Sequence, residues 1–281
     1  LNGDGRCAKG SSMREILAWV LLSASLVADA FAADDRIVVV AFEYPPIYQK
    51  DPGGEKGGLG LSSDLVVAAF KAVRVDVEVQ FLPVLRMVRM VSDGQAVCGI
   101  GGTVLFSSPD VAPNVAVSSV VQYVTQIFMY DQRRYPEGIH YGVIGDMAGY
   151  AIGVLRGSGI MRFLEMTPSL HLVANNVHDG SARQLQLGRI DVWAIVDLTG
   201  MMYMKKLFPD EAANYRFTQP FNRGDVSLVC SKKRDPDNRY GTRFREGLAA
   251  IKANGTYMRL MAKYYGSEAA INRNSLPEDM R

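Results

Sequence analysis

The sequence has few cysteines, few histidines, little net charge and no long apolar run, and each scarcity excludes a class of protein. Its 281 residues include three cysteines and three histidines, and the formal net charge is +2. A charge so close to zero does not provide the basic surface with which proteins hold nucleic acid. Because the longest apolar stretches are shorter than the roughly 20 residues that cross a bilayer, we expect no membrane-spanning helix.

Common enzyme motifs are also missing from the sequence. It has no G-x-S-x-G, no G-x-x-x-x-G-K-[ST] and no H-E-x-x-H, and residues 99–102 (GIGG) lack the third glycine of a dinucleotide fingerprint. His140, His171 and His178 have no ligand-like spacing, so we expect surface or capping histidines. We therefore predict no metal, no cofactor and no catalytic residue.

The N-terminal region has the pattern of an export signal. Met13 and Arg14 precede the apolar stretch 16–27, and Ala30-Phe31-Ala32 follows with the small-x-small pattern of a cleavage site. The alternative is a membrane anchor, for which the stretch is short. We predict a signal peptide over residues 13–32, cleavage near Ala32 and a periplasmic protein.

After such cleavage, Cys98 and Cys230 are the cysteines that remain. Two cysteines in an oxidising compartment can form a disulfide. Each of them ends an apolar, strand-like run, however, and free cysteine is among the most buried residue types. We favour two buried thiols over a disulfide.

From residue 36 onward, strand-like and helix-like segments alternate. The runs 36–42 (RIVVVAF) and 75–81 (VDVEVQF) are short and β-branched, and a helical pattern lies between them. Another helical segment, a glycine and an apolar strand follow, and residues 181–197 (SARQLQLGRIDVWAIVD) repeat that order. Two similarly built α/β lobes are therefore favoured over one continuous sheet. The apolar spacing of residues 244–264 predicts two amphipathic helices that are divided near Gly255.

The order of five segments resembles a known family. They are EYPPIY (43–48), GLGLSSDLVVAAF (58–70), GDMAGYAIGVLRGSG (145–159), GRIDVWAIVD (188–197) and LAAIKANGTYMRLMAKYYG (248–266). In this order they resemble the family 3 extracellular solute-binding proteins of bacterial ABC transporters, including the polar amino-acid binders. The resemblance implies a type II periplasmic-binding-protein fold, in which two α/β lobes joined by two crossing strands close over a ligand.

The resemblance also implies where the lobes divide. Lobe 1 is expected to be discontinuous, with residues 36–126 and 225–281, and lobe 2 to contain residues 127–224. The chain is expected to cross from lobe 1 to lobe 2 near Thr125–Tyr130 and to return to lobe 1 near Phe221–Val226.

The loop Arg156-Gly157-Ser158-Gly159 lies where a strand would pass into a helix. Free N–H groups at a helix start, with a hydroxyl and permissive glycines, suit an anion such as a ligand carboxylate. Gly157 and Ser158 match the Gly-Ser/Thr position of the family. The alternative is that Ser158 is simply an N-cap, and the two roles are compatible.

Four other predicted ligand residues follow strand ends. Asp197 matches the carboxylate that amino-acid binders place against a ligand ammonium group, or it is a helix N-cap. Tyr44 matches an aromatic residue that stacks on ligand, or it stiffens a turn. Gly102 and Thr103 lie at a comparable strand end and offer backbone and hydroxyl groups.

The sequence departs from the family at residue 111. Amino-acid binders usually have an arginine there that clamps the ligand α-carboxylate, whereas this chain has Val111. The nearest substitutes are Arg86 and Arg156, each of which is alternatively a solvated surface charge.

The leading hypothesis is a monomeric periplasmic binding protein without catalysis. It would capture a small polar or carboxylate-bearing, amino-acid-like metabolite and present it to an ABC-transporter permease in the inner membrane. One alternative is an exported lyase of cyclohexadienyl dehydratase type on the same scaffold. Another is an accessory or sensory binding protein of a periplasmic oxidation pathway.

Overall fold

The structure is a computed structural model that describes residue 3, residues 35–50 and residues 58–281. The predicted signal peptide, residues 13–32, and its cleavage site lie outside the described residues. Within the described residues, no helix combines the length and the apolar character that crossing a membrane requires.

The described residues form nine β-strands and seven α-helices. The strands are β1 (Asp35–Ala41), β2 (Val75–Phe81), β3 (Cys98–Gly101), β4 (Val115–Asp131), β5 (Ala151–Leu155), β6 (His171–Asn175), β7 (Val192–Val196), β8 (Tyr215–Phe217) and β9 (Asn222–Ser231). The helices are α1 (Leu61–Ala72), α2 (Val84–Ser92), α3 (Gly159–Leu164), α4 (His178–Gln186), α5 (Asp197–Leu207), α6 (Arg239–Ala253) and α7 (Thr256–Tyr265).

The strands follow the order β2-β1-β3-β9-β4-β7-β5-β6, and β8 pairs with β4. Strands β1 to β3, with helices α1, α2, α6 and α7, form one side, which we name lobe 1. Strands β5 to β7, with α3 to α5, form the other side, lobe 2. The long strands β4 and β9 join the two lobes, and β4 changes its partner from β9 to β7 at Gln126. The residue boundaries of the lobes stay predictions.

The predicted alternation of strands and helices is confirmed element by element. In α2, the apolar residues Met87, Val88 and Val91 are buried on one face, as the spacing predicts. The tail forms two helices, α6 and α7, on either side of Gly255, whose φ of 76° is in the left-handed region. The local spacing of apolar residues and the position of a glycine were therefore sufficient to predict these helices.

Helices α1 and α6 of lobe 1 pack unusually close together. A side chain at Gly247 would overlap the backbone of Ala69, so only glycine permits this approach. Phe70 and Phe244 lie beside the crossing with ring centroids 5.4 Å apart. This packing brings the C-terminal helix α6 against the N-terminal helix α1.

The expectation of two buried thiols is wrong. Cys98 and Cys230 form a disulfide with an S–S distance of 2.00 Å. They are directly opposite each other on the antiparallel strands β3 and β9, and both are almost fully buried. The sequence placed both residues in strands correctly, but the register that brings them together depends on contacts 132 residues apart.

The segment after α7 packs against the two strands that join the lobes. Arg223 of β9 donates to the carbonyls of Asn274 and Leu276, both at 2.7 Å, and to Glu278 Oε1 at 2.8 Å. Its guanidinium lies 3.3 Å from the ring centroid of Tyr123 in β4. One side chain therefore links β4, β9 and the C-terminal segment.

Candidate functional site

A cavity of about 500 Å³ lies between the two lobes. Lobe 1 contributes Tyr44 and Gly102, lobe 2 contributes Ser158 and Phe163, and the joining strands contribute residues that include Asp225. This size is in the range of small-molecule sites, which commonly lie between domains. A ligand in this cavity, which we name the cleft cavity, would contact both lobes at once.

Five of the eight predicted ligand residues line the cleft cavity, namely Tyr44, Gly102, Arg156, Gly157 and Ser158. They come from three separate segments of the chain, and the structure brings them to one place. The other three, Arg86, Thr103 and Asp197, do not line it.

The loop at residues 156–159 has the geometry of a helix start. Ser158 is the N-cap of α3, and its Oγ accepts a hydrogen bond from the Met161 N–H at 3.1 Å. Gly157 has a φ of 69°, a conformation that favours glycine. Because the Gly157, Ser158 and Met161 N–H groups already have partners in the chain, the start of α3 leaves the N–H groups of Gly159 and Ile160 for a ligand. Both interpretations of Ser158 fit this geometry.

Tyr44 lies in a turn of lobe 1 and reaches lobe 2. Its backbone forms a bridge with Tyr48, and its ring contacts the ring of His178 edge-on at 4.7 Å between centroids. Trp193 and Tyr203 of lobe 2 surround the same imidazole, at 5.9 Å and 5.4 Å. Tyr44 is thus part of a contact between the lobes as well as of the cavity wall.

The expectation that the histidines are surface or capping residues is wrong for His178. His140 and His171 are exposed, but His178 is 6% exposed. Burial lowers its pKa to about 4, so the imidazole is neutral at neutral pH. Apolar aromatic neighbours from both lobes, which sequence spacing does not reveal, cause this burial.

Asp225 is a cavity residue that the sequence analysis missed. Its carboxylate accepts hydrogen bonds from the Thr103 N–H and Oγ–H, both at 3.0 Å, and from Ser227 Oγ–H at 2.7 Å. Thr103 therefore positions Asp225 and does not itself line the cavity. The available signal was a carboxylate in the segment FNRGDVSLVC (221–230), where the chain was expected to return between the lobes.

Asp197 begins α5 and lines a second cavity, of about 700 Å³. Its Oδ2 accepts a hydrogen bond from Asn272 Nδ2 at 2.6 Å, and its Oδ1 accepts one from the Leu198 N–H at 2.7 Å. Asn272 also donates to Thr125 Oγ1 at 3.0 Å. Burial raises the pKa of Asp197, although these two donors oppose the shift. A ligand role for Asp197 stays a prediction.

Of the three positions linked to carboxylate clamping, Arg156 lines the cleft cavity, whereas residues 86 and 111 do not. Arg86 is exposed on α2. Val111 is 2% exposed and belongs to a small apolar cluster with Val91 and Phe106. The valine thus packs inside lobe 1, which explains its apolar character.

The wall of the cleft cavity is mainly apolar. Aromatic rings on it include Phe42 and Tyr48, 4.8 Å apart, in lobe 1 and Phe163 in lobe 2. Phe163 stacks on Phe221 at 5.8 Å. In the part of the chain that the structure describes, no three His, Cys, Asp or Glu residues form a group suited to a metal ion. The arrangement suits binding of a small molecule with an apolar part.

Comparison with known proteins shows the fold. No protein-family model matches the chain, and no curated protein sequence matches it. Solved structures do match, at low sequence identity. One is the substrate-binding protein of an amino acid ABC transporter, with a TM-score of 0.61 and 18% identity, covering 83% of this chain and 100% of that one.

Two further structures are similar. One is a histidine kinase sensor domain similar to periplasmic binding proteins (TM-score 0.64, 19% identity, 82% of this chain and 96% of that one). The other is an ancestral amino-acid-binding protein, a precursor of cyclohexadienyl dehydratase (TM-score 0.61, 17% identity, 85% and 98%). The chain therefore has the two-lobed α/β fold of periplasmic binding proteins, which confirms the predicted fold class.

Proposed function

We propose that this chain is a periplasmic solute-binding protein that captures a small carboxylate-bearing metabolite between its lobes and delivers it to an ABC-transporter permease. The observation that carries the proposal is the cleft cavity, whose wall combines residues of both lobes and of the joining strands. Because a ligand there contacts both lobes only when they are closed, its binding favours the closed form. The protein acts as a monomer in this proposal.

Tyr44, Gly102, Arg156, Gly157 and Ser158 form the proposed ligand site. The donors at the start of α3 and the Arg156 guanidinium suit a carboxylate, and the ring of Tyr44 offers an apolar surface. The similarity to a substrate-binding protein of an amino acid ABC transporter supports the same class of function.

Thermal-shift screening of the purified protein tests the proposal. The panel contains amino acids, dicarboxylates, polyamines, and aromatic and branched aliphatic carboxylates. A true ligand at about 100 times its Kd stabilises the folded state by about 2.7 kcal/mol, which raises the Tm by several degrees. Ser158→Ala and Tyr44→Ala should reduce that shift, whereas Ser169→Ala, at an exposed position outside the cavity, should not. A panel without any shift contradicts the proposal.

An exported lyase is the second candidate. Burial raises the pKa of Asp197, and a carboxyl group with a raised pKa is what general acid catalysis requires. The precursor of cyclohexadienyl dehydratase among the similar structures adds to this candidate. Product formed from prephenate or arogenate, and lost in Asp197→Asn, would replace the binding-protein proposal with the lyase.

A further inference from the structure

The charged groups of the cleft cavity differ in whether the protein already satisfies them. Asp225 accepts three hydrogen bonds, two from Thr103 and one from Ser227. Arg223 directs three nitrogens at the C-terminal segment. Each of these oxygens and nitrogens already has a protein partner, so a ligand ion would have to share it.

Two guanidinium groups on the lobe 2 wall remain for a ligand. The Arg156 guanidinium makes one hydrogen bond with the described residues, from its Nε–H to Asn176 Oδ1 at 3.0 Å. The Arg162 guanidinium makes no hydrogen bond or ion pair with the residues that the structure describes, and both arginines are exposed. On the opposite wall, Glu43 is a single exposed carboxylate, and solvent screens it as it screens each exposed arginine, so the two arginines together outweigh it. The lobe 2 wall consequently favours an anion.

Among the described residues that line the cleft cavity, no carboxylate is both buried and without a protein hydrogen bond. Asp197 lines the second cavity instead of the cleft cavity, and Asn272 and the Leu198 N–H already occupy its two oxygens. An ammonium group would have to displace Asn272, which is also hydrogen-bonded to Thr125. An ammonium group near Arg156 would in addition meet charge of its own sign.

The rest of the cavity wall offers contacts to an apolar body. Phe42 and Tyr48 face it from lobe 1, and Phe163 and Met166 face it from lobe 2. Burying a polar or charged substituent against such a wall without partners costs free energy. An aromatic ring or a branched aliphatic group avoids that cost and removes apolar surface from water.

On the premise that the proposed solute-binding function holds, we propose that the ligand is a carboxylate with an apolar body and no ammonium group. Its carboxylate pairs with Arg156 and Arg162 on the lobe 2 wall. Its aromatic or branched aliphatic body packs among the rings of both lobes. The ligand class is thus the deaminated counterpart of an apolar amino acid.

Matched ligand pairs test this proposal by calorimetry on the full chain. 3-Phenylpropionate is compared with L-phenylalanine, and 4-methylpentanoate with L-leucine, because the members of each pair differ only in the ammonium group. 3-Phenylpropanamide replaces the carboxylate with a neutral group. We expect each acid to bind at least tenfold more tightly than its amino acid, and 3-phenylpropionate at least tenfold more tightly than its amide.

Charge variants identify the groups that hold the carboxylate. The double variant Arg156→Gln/Arg162→Gln should weaken binding of the preferred acid at least tenfold. Arg183→Gln is the matched control, because Arg183 is exposed on α4 and does not line the cavity. Asp197→Asn should change the affinity less than twofold. A circular dichroism melt of each variant separates weakened binding from loss of folding.

The outcomes separate this inference from the proposed function. If an amino acid binds as tightly as its matched acid, or the amide as tightly as the acid, the ligand class is wrong although solute binding stands. The same holds if only dicarboxylates or polyamines bind, or if Asp197→Asn weakens binding tenfold. If no compound of the thermal-shift panel binds, both the inference and the proposed function fail.

Discussion

His178 is a titratable side chain held among aromatic rings from both lobes. Two titratable groups face it, Tyr44 and Tyr203. Burial raises the pKa of both hydroxyl groups, so neither carries a charge at acidic or neutral pH. A proton on the imidazole would therefore be a buried charge without a counterion. The described residues offer neither ring nitrogen a hydrogen-bond partner.

Acid should therefore destabilise the protein through His178. Its pKa is about 4 in the folded state and about 6.5 in the unfolded state, so between these values the unfolded chain binds more protons. The free energy of unfolding should fall as the pH drops from 6.5 to 4, with a contribution from His178 of up to about 3 kcal/mol. Urea unfolding across this range measures the fall, and His178→Phe should reduce it.

The exposed His171 provides the control for this prediction. His171→Gln removes a solvated histidine and should leave the pH dependence of the unfolding free energy unchanged. If His178→Phe and His171→Gln give the same pH dependence as the unaltered protein, the imidazole is not buried as described.

At the residue scale, the sequence predicted residues of the cavity wall where they follow from local pattern, and their role as ligand contacts stays a prediction. The glycine-rich loop around Ser158 and the aromatic Tyr44 were found because each lies at a strand end. Asp225 was missed because the Thr103 donors that define its role are 122 residues away in the chain. The contact between Asp197 and Asn272 spans 75 residues and was equally invisible. Contacts between residues so far apart in the chain leave no periodic pattern in the sequence.

At the scale of elements, the strands that join the lobes are linked by hydrogen bonds to the segment after α7. Arg223 of β9 makes the three contacts with that segment described above, and a planar guanidinium can direct them simultaneously. Because β4 and β9 connect the lobes, this arginine constrains the region about which lobe motion would occur.

Replacing Arg223 with lysine should release the C-terminal segment while retaining the positive charge. A lysine ammonium cannot reach two carbonyls and a carboxylate together, so we expect a loss of about 1–2 kcal/mol in unfolding free energy. Hydrogen exchange of residues 272–278 should become faster. Arg216→Lys is the control, because Arg216 donates only to the nearby carbonyls of Ala213 and Tyr215. Unchanged exchange in Arg223→Lys would contradict this role.

The helices could be predicted from the sequence, whereas the pairing of the strands could not. Helix α2 and helices α6 and α7 follow from apolar periodicity and from a glycine that ends or divides them. The Cys98–Cys230 disulfide did not follow, because the pairing of β3 with β9 depends on where the chain returns after lobe 2. Strand identity is a local property, whereas strand register is set by the tertiary structure.

At the scale of the whole molecule, the structure has its lobes in contact. Tyr44 of lobe 1 packs on His178 of lobe 2. On the cavity rim, a Cβ placed on Gly159 of lobe 2 would lie 3.8 Å from Val104 Cγ1 of lobe 1. The described structure therefore corresponds to a closed form, in which a ligand of the cleft cavity would be held from both sides.

A disulfide between residues 104 and 159 should lock this closed form. The Val104 Cγ1 that lies 3.8 Å from this Cβ occupies a place that a cysteine sulfur can take, and Gly159 has no positive φ that would disfavour cysteine.

When Val104→Cys/Gly159→Cys is oxidised without ligand, uptake of a ligand found by thermal shift should slow at least tenfold. Mild reduction should restore uptake, while the buried Cys98–Cys230 disulfide stays intact. Each single variant, measured by stopped-flow fluorescence beside the double variant, controls for the substitutions. If thiol titration shows that the new disulfide has formed and uptake is still unchanged, ligand reaches the cavity without lobe opening, and hinge closure is not how this protein holds its ligand.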